Sequence, residues 1–487
     1  MRKRVIVATA AAAVAVGCAV AALWIRRSAR RWSRVERIVR DLNKRCATPV
    51  ERLWDVADAM IAEMRAGLAA EGGSSLRMLP CLLGSLPTGE EEGSFYGMKL
   101  GRAKLRLLHV QLGGKDARVI KKGLAEIPVP INLMVGTSQE LYEYMAVELG
   151  KFFVEEEKHS NTQGVTPHEV GISMSFPVVQ NSASEKTIVE WTQGFSIKEK
   201  VGKDAVSEMK EAIEKLGHNM RVSLVVNETI GTLAGGRYYC SDTVAAVVLG
   251  MRTNAAYLES EHAVPKWQSA HPRQGEMVIN IEWGNFQSIH LPITEFDVCV
   301  DNESPNPREM TYAKLISGTY LGEIVRKVLL KIAEETSLFG DDVPSKLKIP
   351  FILRTSDMAS MHQDQSADLV AVGEKLEKTL GIPNTTLRMR EIVFEICDII
   401  AKRGARLAAA GIVGILKHLG RDGTDKKAVV MVEGGVYEHY RLFRNYLHDG
   451  VKVMLRGRFS DNVVIEHGCG LGAALLAAAN SHHGRKF

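Results

Sequence analysis

The sequence predicts a two-lobed α/β fold with a cleft between the lobes, preceded by an N-terminal membrane-anchor helix. At 487 residues the chain is longer than one hydrophobic core usually organises. Each half contains a strand–turn–strand segment with a glycine in its turn, at residues 95–114 and 245–259. Two halves with the same layout favour two related lobes that face a ligand between them.

The anchor prediction rests on residues 5–25, an uncharged run of 21 residues that at ~1.5 Å per residue can cross a ~30 Å hydrocarbon core. Three basic residues precede the run and five arginines follow it: Arg2, Lys3, Arg4, Arg26, Arg27, Arg30, Arg31 and Arg34. The heavier basic cluster on the C-terminal flank predicts that the body lies on the cytosolic side. A cleaved signal peptide, or a lipoprotein signal that ends at Gly17 and Cys18, is the alternative.

Composition is that of an ordinary globular protein, with 46% hydrophobic and 24% charged residues. The net charge of +5 comes from the N-terminal cluster, so it gives no argument for nucleic-acid binding by the body. The seven cysteines are scattered and lack CxxC or Cys/His spacing. This pattern favours reduced thiols over a disulfide framework and indicates no metal site.

Periodicity places the elements in order. Helical spacing of apolar residues covers residues 35–68, with a break at Pro49, and recurs at 141–155, 204–216, 315–335 and 389–419. Strands are predicted at 95–114, 117–123, 171–179, 222–226, 245–259 and 429–437, and a strand, a glycine loop and a helix follow between 463 and 481. The strand at 222–226 ends in Asn227 and Glu228, and the glycine-rich residues 231–236 after it predict a tight backbone turn. A polar pair is thus expected in a cleft.

Five short motifs occur in chain order: SFP at 175–177, WTQGF at 191–195, VNET at 226–229, TNAAY at 253–257 and INIEWGNF at 279–286. Together with RVSLVVNETIGTLAGGRY at 221–238, they resemble the hexokinase family, and plant hexokinases in particular. The resemblance implies an actin-like ATPase (ribonuclease H-like) fold and the ATP- and Mg²⁺-dependent phosphorylation of D-glucose and other hexoses at the 6-hydroxyl. It implies sugar contacts by Ser175, Thr192, Asn227, Asn254 and Glu282.

Three cleft positions depart from the family pattern. Glu228 stands where the family has the aspartate that accepts the proton of the 6-hydroxyl, Gln193 where it has a lysine, and Ala313 where it has a glutamate. The extra methylene of Glu228 moves its carboxylate by about 1 Å, and such a displacement can reduce a reaction rate by ~10²-fold.

The phosphate loops depart further. The first family hairpin reads Asp-Leu-Gly-Gly-Thr-Asn-Phe-Arg. Here its aspartate, second glycine, threonine and asparagine are replaced by Lys99, Arg102, Ala103 and Lys104, while Gly101 keeps its first glycine. An ammonium has no lone pair to offer a metal, so Lys99 cannot place Mg²⁺ as an aspartate does. In the second hairpin, Gly-Thr-Gly-Thr-Asn becomes Gly250, Met251, Arg252, Thr253 and Asn254, whose side chains restrict a glycine turn.

The nucleotide-side lobe carries degenerate remnants. Glu433 and Gly434 resemble a strand end that has aspartate in the family, and Gly468, Cys469 and Gly470 resemble its Gly-Ser-Gly adenosine loop. The scaffold motifs are kept while these positions change together. This combination favours a protein that retains the fold with weak or absent hexose phosphorylation and acts in glucose binding, sensing or scaffolding.

The division expected from the resemblance is an anchor at 1–34, a small lobe at 35–226, a large lobe at 227–466, and a C-terminal segment at 467–487 that returns to the small lobe. A working hexokinase in glycolysis that uses Glu228 as its base is the alternative, and ATP–Mg²⁺ binding is in doubt. The resemblance implies the outer mitochondrial membrane, with a plastid or endoplasmic-reticulum surface left open. Glucose or another hexose and the membrane are the expected partners, with the protein partners of a sugar-signalling scaffold unidentified.

Overall fold

The computed structural model describes residues 25–81, 83–101, 104–158, 167–180, 186–188, 191, 195–197, 204–267, 275–340, 342–423, 425–456 and 462–481. The predicted anchor lies outside these residues except for Ile25. No helix within the described ranges has the length and apolar character needed to cross a membrane.

The strands and helices follow the predicted order. The strands are β1 (Leu79–Cys81), β2 (Glu92–Leu100), β3 (Lys104–Gly113), β4 (Ala117–Pro128), β5 (His168–Met174), β6 (Val178–Gln180), β7 (Lys186–Ile188), β8 (Met220–Asn227), β9 (Thr243–Leu249), β10 (Thr253–Ser260), β11 (Glu276–Asn280), β12 (Ala428–Glu433) and β13 (Val463–His467). The helices are α1 (25–46), α2 (Val50–Ala69), α3 (Ile131–Met134), α4 (Ser138–Glu157), α5 (Ala205–Glu214), α6 (Glu228–Tyr239), α7 (Glu295–Glu303), α8 (Thr311–Ile316), α9 (Leu321–Thr336), α10 (Thr355–His362), α11 (Val370–Lys378), α12 (Leu387–His418), α13 (Gly435–His439), α14 (Arg441–Met454) and α15 (Gly472–Ala479).

Two sheets with the same layout form the two lobes. The small-lobe sheet has the order β4-β3-β2-β5-β8, and the large-lobe sheet has the order β1-β11-β10-β9-β12-β13. Each sheet contains three antiparallel strands (β4, β3, β2 and β11, β10, β9), followed by two strands parallel to the last of them (β5, β8 and β12, β13). Strand β1 adds a further antiparallel strand at the edge of the large-lobe sheet. Strands β9 and β12 are buried along their whole length, as expected for parallel strands covered on both faces. The repeat predicted from the two hairpins is therefore present.

The structure divides the chain differently from the predicted small lobe at 35–226. Leu53, Val56 and Met60 of α2 lie in the same apolar core as the long helix α12, and β1 pairs with β11. Helices α1 and α2 and strand β1 thus belong to the large lobe. Their apolar periodicity predicts burial, but it does not indicate which sheet supplies the partner surface.

The predicted turn at residues 231–236 is wrong, because α6 continues from Glu228 to Tyr239. Asn227 starts this helix, and its side-chain oxygen accepts the amide of Thr229 at 2.9 Å. The glycines serve close packing: a Cβ on Gly472 of α15 would lie 1.7 Å from the carbonyl oxygen of Gly231. The predicted helix at 315–335 is also divided, into α8 and α9, around Ser317 and Gly318.

Candidate functional site

Three of the predicted sugar contacts come together in the cleft. Asn254 Nδ2 lies 2.9 Å from Glu282 Oε1 and 3.3 Å from Asn227 Oδ1, and all three side chains are buried. Asn227 stands at the end of β8 and Asn254 near the start of β10, while Glu282 follows β11 in a left-handed conformation (φ 56°). Strand ends from both lobes thus deliver a polar cluster to one place.

Asn280 completes this cluster, although the sequence analysis did not select it. Its Oδ1 lies 2.6 Å from Asn254 Nδ2, and its own Nδ2 donates to Glu282 Oε1 at 3.0 Å. The signal that could have identified it is spacing, because Asn280 precedes Glu282 by two residues within a motif already selected. A buried carboxylate and three carboxamides offer both donors and acceptors, as a polyhydroxyl ligand requires.

The remaining predicted sugar contacts are placed only in part. The SFP segment contacts the cluster, because Asn227 Nδ2 donates to the carbonyl oxygen of Phe176 at 2.9 Å. Ser175 is half-buried beside it. Thr192 and Gln193 lie outside the described residues. Ala313 is buried, and its Cβ lies against Gly284, because a Cβ added to Gly284 would be 3.1 Å from it.

Lys99 joins two of the predicted site residues, Glu228 and Glu433, across the cleft. It lies near the end of β2, and its Nζ is 3.2 Å from Glu228 Oε2 and 3.5 Å from Glu433 Oε2. Glu228 begins α6 and Glu433 ends β12, so the ammonium sits where the carboxyl edges of the two sheets meet. Burial lowers the pKa of the Lys99 ammonium, but the two carboxylates outweigh that effect and raise it above its usual value. Lys99 is therefore charged at neutral pH.

These residues do not fit a magnesium ion. Mg²⁺ is held by carboxylate, phosphate and water oxygens in octahedral geometry. Here the oxygens of Glu228 and Glu433 that face the cleft already have a cation between them, and an ammonium adds no metal ligand. Within the described part of the chain, no group of three acidic, histidine or cysteine side chains could hold a metal ion.

The described residues of the first hairpin are engaged with their own sheet. The Gly101 amide donates to the Lys104 carbonyl at 3.0 Å, and Lys104 Nζ binds Glu126 at 2.8 Å on the exposed side of the sheet. Arg102 and Ala103 lie outside the described residues. In the second hairpin, the Gly250 amide donates to the Arg252 carbonyl at 2.9 Å, and the Thr253 hydroxyl accepts from Trp283 Nε1 at 2.8 Å. The Thr253 hydroxyl is thus engaged by the buried Trp283 side chain.

The glycine loop that follows β13 contacts the Glu433 carboxylate at the oxygen that Lys99 leaves open. The Gly470 amide donates to Glu433 Oε1 at 3.1 Å, and a Cβ on Gly468 would lie 2.1 Å from the Glu433 Cγ. Gly434 has a φ of 110° and lies against the backbone of Leu249, so it too needs to be glycine. Burial raises the pKa of the Cys469 thiol to about 11. A cavity of about 230 Å³ opens beside this loop, lined by residues of both lobes that include Lys99, Glu228 and Glu433.

Comparison with known proteins assigns the family. Two family models, each described as Hexokinase, match residues 38–238 and 244–479. Hexokinase-1 of Spinacia oleracea is 49% identical over 99% of both chains, and Hexokinase-2 of Oryza sativa is 53% identical over 94% of both. The hexokinase of Schistosoma mansoni complexed with glucose superposes with a TM-score of 0.81 at 30% identity, covering 92% of this chain and 99% of that one. The chain belongs to the hexokinase family.

Proposed function

We propose that this hexokinase-family protein binds glucose or another hexose in its cleft, phosphorylates it weakly or not at all, and acts as a glucose sensor or scaffold in glucose homeostasis. The observation that carries the proposal is the Lys99 ammonium, 3.2 Å from Glu228 and 3.5 Å from Glu433. It places a side-chain cation against the predicted general base, at the position where the family has the aspartate that helps to place Mg²⁺.

Sugar binding is supported by the cluster of Asn227, Asn254, Asn280 and Glu282. A site of this kind discriminates because an unsatisfied buried polar group is costly. The structural relative from Schistosoma mansoni is a glucose complex, which supports a hexose as the ligand. The methyl group at Ala313 and the substitution at Gln193 remove two polar groups of the family pattern, so we expect weak binding.

Loss of phosphoryl transfer is supported by the charge state of the centre. To act as a general base, Glu228 must accept the proton of the sugar hydroxyl, and the Lys99 ammonium, 3.2 Å from its Oε2, competes for that oxygen. The same ammonium is incompatible with a metal placed by residue 99. ATP and Mg²⁺ are used by the family, and the ion pairs of Lys99 with Glu228 and Glu433 count against Mg²⁺ at this place.

We further propose that residues 5–25 anchor the protein in a membrane with both lobes on the cytosolic side. The uncharged run and its heavier C-terminal basic flank support this placement. The outer mitochondrial membrane is the proposed site, with a plastid or endoplasmic-reticulum surface as the alternative. Cell fractionation should find the protein in a membrane fraction and a variant lacking residues 1–34 in the soluble one. A truncated protein that stays membrane-bound would contradict the anchor.

A working hexokinase remains the second candidate, because Glu228 keeps a carboxylate on the wall of the cavity. An assay of hexose 6-phosphate formation at saturating ATP–Mg²⁺ distinguishes a working hexokinase from a protein with weak or absent activity. Under the proposal, the unmutated protein shows little or no activity, and Lys99→Ala does not lower it further. Readily measured activity that Lys99→Ala abolishes would instead show that the lysine supports catalysis.

A further inference from the structure

A stripe of basic side chains follows the exposed side of α1. The helix buries Val35, Val39, Leu42 and Cys46 in the core of the large lobe. On the opposite side lie the exposed residues of the α1 stripe: Arg26, Arg30, Arg34, Arg37, Arg40 and Lys44. Their spacing of three and four residues keeps them on one face of the helix over about 27 Å.

The protein supplies little negative charge to this stripe. The two acidic residues of the helix are engaged by other arginines: Glu36 binds Arg388 at 2.7 Å, and Asp41 binds Arg45 at 3.2 Å. No ion pair to a described acidic side chain is formed by Arg26, Arg30, Arg37 or Arg40. Like charges three and four residues apart on a helix repel, so the stripe costs stability unless an external anion neutralises it.

Charge is also segregated along the whole chain. The first 45 residues contain 12 basic and 2 acidic residues, a net charge of +10, whereas the whole chain has +5, so the remainder carries −5. An anionic surface would therefore attract the N-terminal helix and repel the body. The uncharged residues 5–25 directly precede the stripe, so a membrane that receives them lies next to it.

We infer that the α1 stripe binds the anionic headgroups of a lipid membrane. This inference rests on the proposed membrane location and adds to it a surface on the folded body that sets orientation. Because α1 packs into the large lobe, contact along the stripe holds that lobe at the membrane. The small lobe contains no part of α1 and stays free to move over the cleft.

The test uses the full-length protein and vesicles of phosphatidylcholine, with and without phosphatidylserine. The readout is the ratio of the two partition coefficients. Arg30→Gln, Arg37→Gln and Arg40→Gln are combined to remove three charges from the stripe. The matched control, Lys115→Gln with Lys151→Gln and Lys158→Gln, removes three charges from exposed positions of the small lobe. A third variant replaces the same three arginines with lysine.

We expect the unmutated protein to prefer the anionic vesicles. In the glutamine variant, the ratio of the anionic to the neutral partition coefficient should fall about 100-fold. The lysine variant and the control should keep the preference. Raising the salt to about 1 M, where charges are screened within ~3 Å, should abolish it. A ratio near one for the unmutated protein, an unchanged ratio for the glutamine variant, or tighter binding to RNA than to anionic vesicles would overturn the inference.

Binding to the neutral vesicles tests the proposed anchor independently of the α1 stripe. They report on residues 5–25 alone, because phosphatidylcholine offers no net charge. Absence of binding to them, together with anionic binding that the glutamine variant abolishes, would refute the anchor and support the stripe. Equal binding to both vesicle types would support the anchor and refute the stripe.

Discussion

Lys99 determines the chemistry of the cleft at the scale of single residues. Its ammonium can only donate hydrogen bonds, and it is held between Glu228 from the start of α6 and Glu433 from the end of β12. Two carboxylates this close would otherwise repel each other or require a metal ion. The lysine forms an ion pair with each carboxylate and offsets one of their two negative charges.

The sugar side of the cleft gives the first prediction. Asn227→Ala should abolish the weak glucose binding expected of the unmutated protein, since each lost hydrogen bond to a neutral partner is worth about 0.5–1.5 kcal/mol. Asn227 also starts α6, so Asn227→Ser tests binding with the helix cap retained. Isothermal titration calorimetry measures both, with the exposed Gln287→Ala as control. Unchanged affinity in the serine variant would place the sugar elsewhere.

At the scale of elements, two contacts support the packing: α6 lies against α15 near the cleft, and a polar link joins α10, α12 and α14 in the large lobe. The first depends on the absence of side chains. The second depends on His362 and Asp398, which meet Tyr440 and Tyr446 in the interior of the lobe. Each contact supports a prediction.

Gly472→Ala should destabilise the protein by about 1–3 kcal/mol, the usual cost of overpacking. The added Cβ would lie 1.7 Å from the Gly231 carbonyl oxygen, so α6 and α15 must move apart. Gly231→Ala is the matched control on the facing helix, because its Cβ would meet nothing closer than 3.7 Å. Thermal unfolding should show a lower midpoint for Gly472→Ala and an equal or higher one for Gly231→Ala. Equal losses in both would contradict the close approach.

Asp398→Asn should lower stability by about 1 kcal/mol near neutral pH, a small effect because the carboxylate is partly exposed. The hydrogen bond from His362 holds the pKa of Asp398 below its usual value, against the opposing effect of burial. A lowered carboxyl pKa stabilises the fold above the unfolded pKa of about 3.8, and this contribution is lost as pH falls through the folded value. Thermal unfolding at neutral and acidic pH should therefore show the deficit shrinking in acid; a constant deficit would refute the assignment.

At the scale of the whole molecule, the two-lobed fold was predictable because the sequence repeats a hairpin in each half and keeps the family's scaffold motifs. The boundary between the lobes was not predictable, because apolar spacing in α2 indicates a buried face but not the sheet against which that face packs. The helix α6 was missed because glycine usually marks turns, whereas here packing against α15 requires it. Asn280 and the double contact of Lys99 depend on strands brought together only by folding.

The molecule keeps its architecture while its phosphate-binding positions have changed together. Apolar cores fill both lobes, and Asn254 and Glu282 form a buried hydrogen bond in the cleft. The changes concentrate at the carboxyl edges of the two sheets, where Lys99, Glu228 and Glu433 meet. The central claim is therefore that this cleft binds a sugar but cannot place the metal-bound phosphate, and that these effects act as one unit.

The most direct test is restoration of hexose 6-phosphate formation at saturating ATP–Mg²⁺. Glu228→Asp alone should leave the activity at the level of the unmutated protein, because Lys99 still occupies the centre. The full set should raise it by more than about 10²-fold: Lys99→Asp, Arg102→Gly, Ala103→Thr, Lys104→Asn, Gln193→Lys, Glu228→Asp and Ala313→Glu. Recovery by Glu228→Asp alone, or an inert full-set variant that is folded and binds glucose, would contradict the claim.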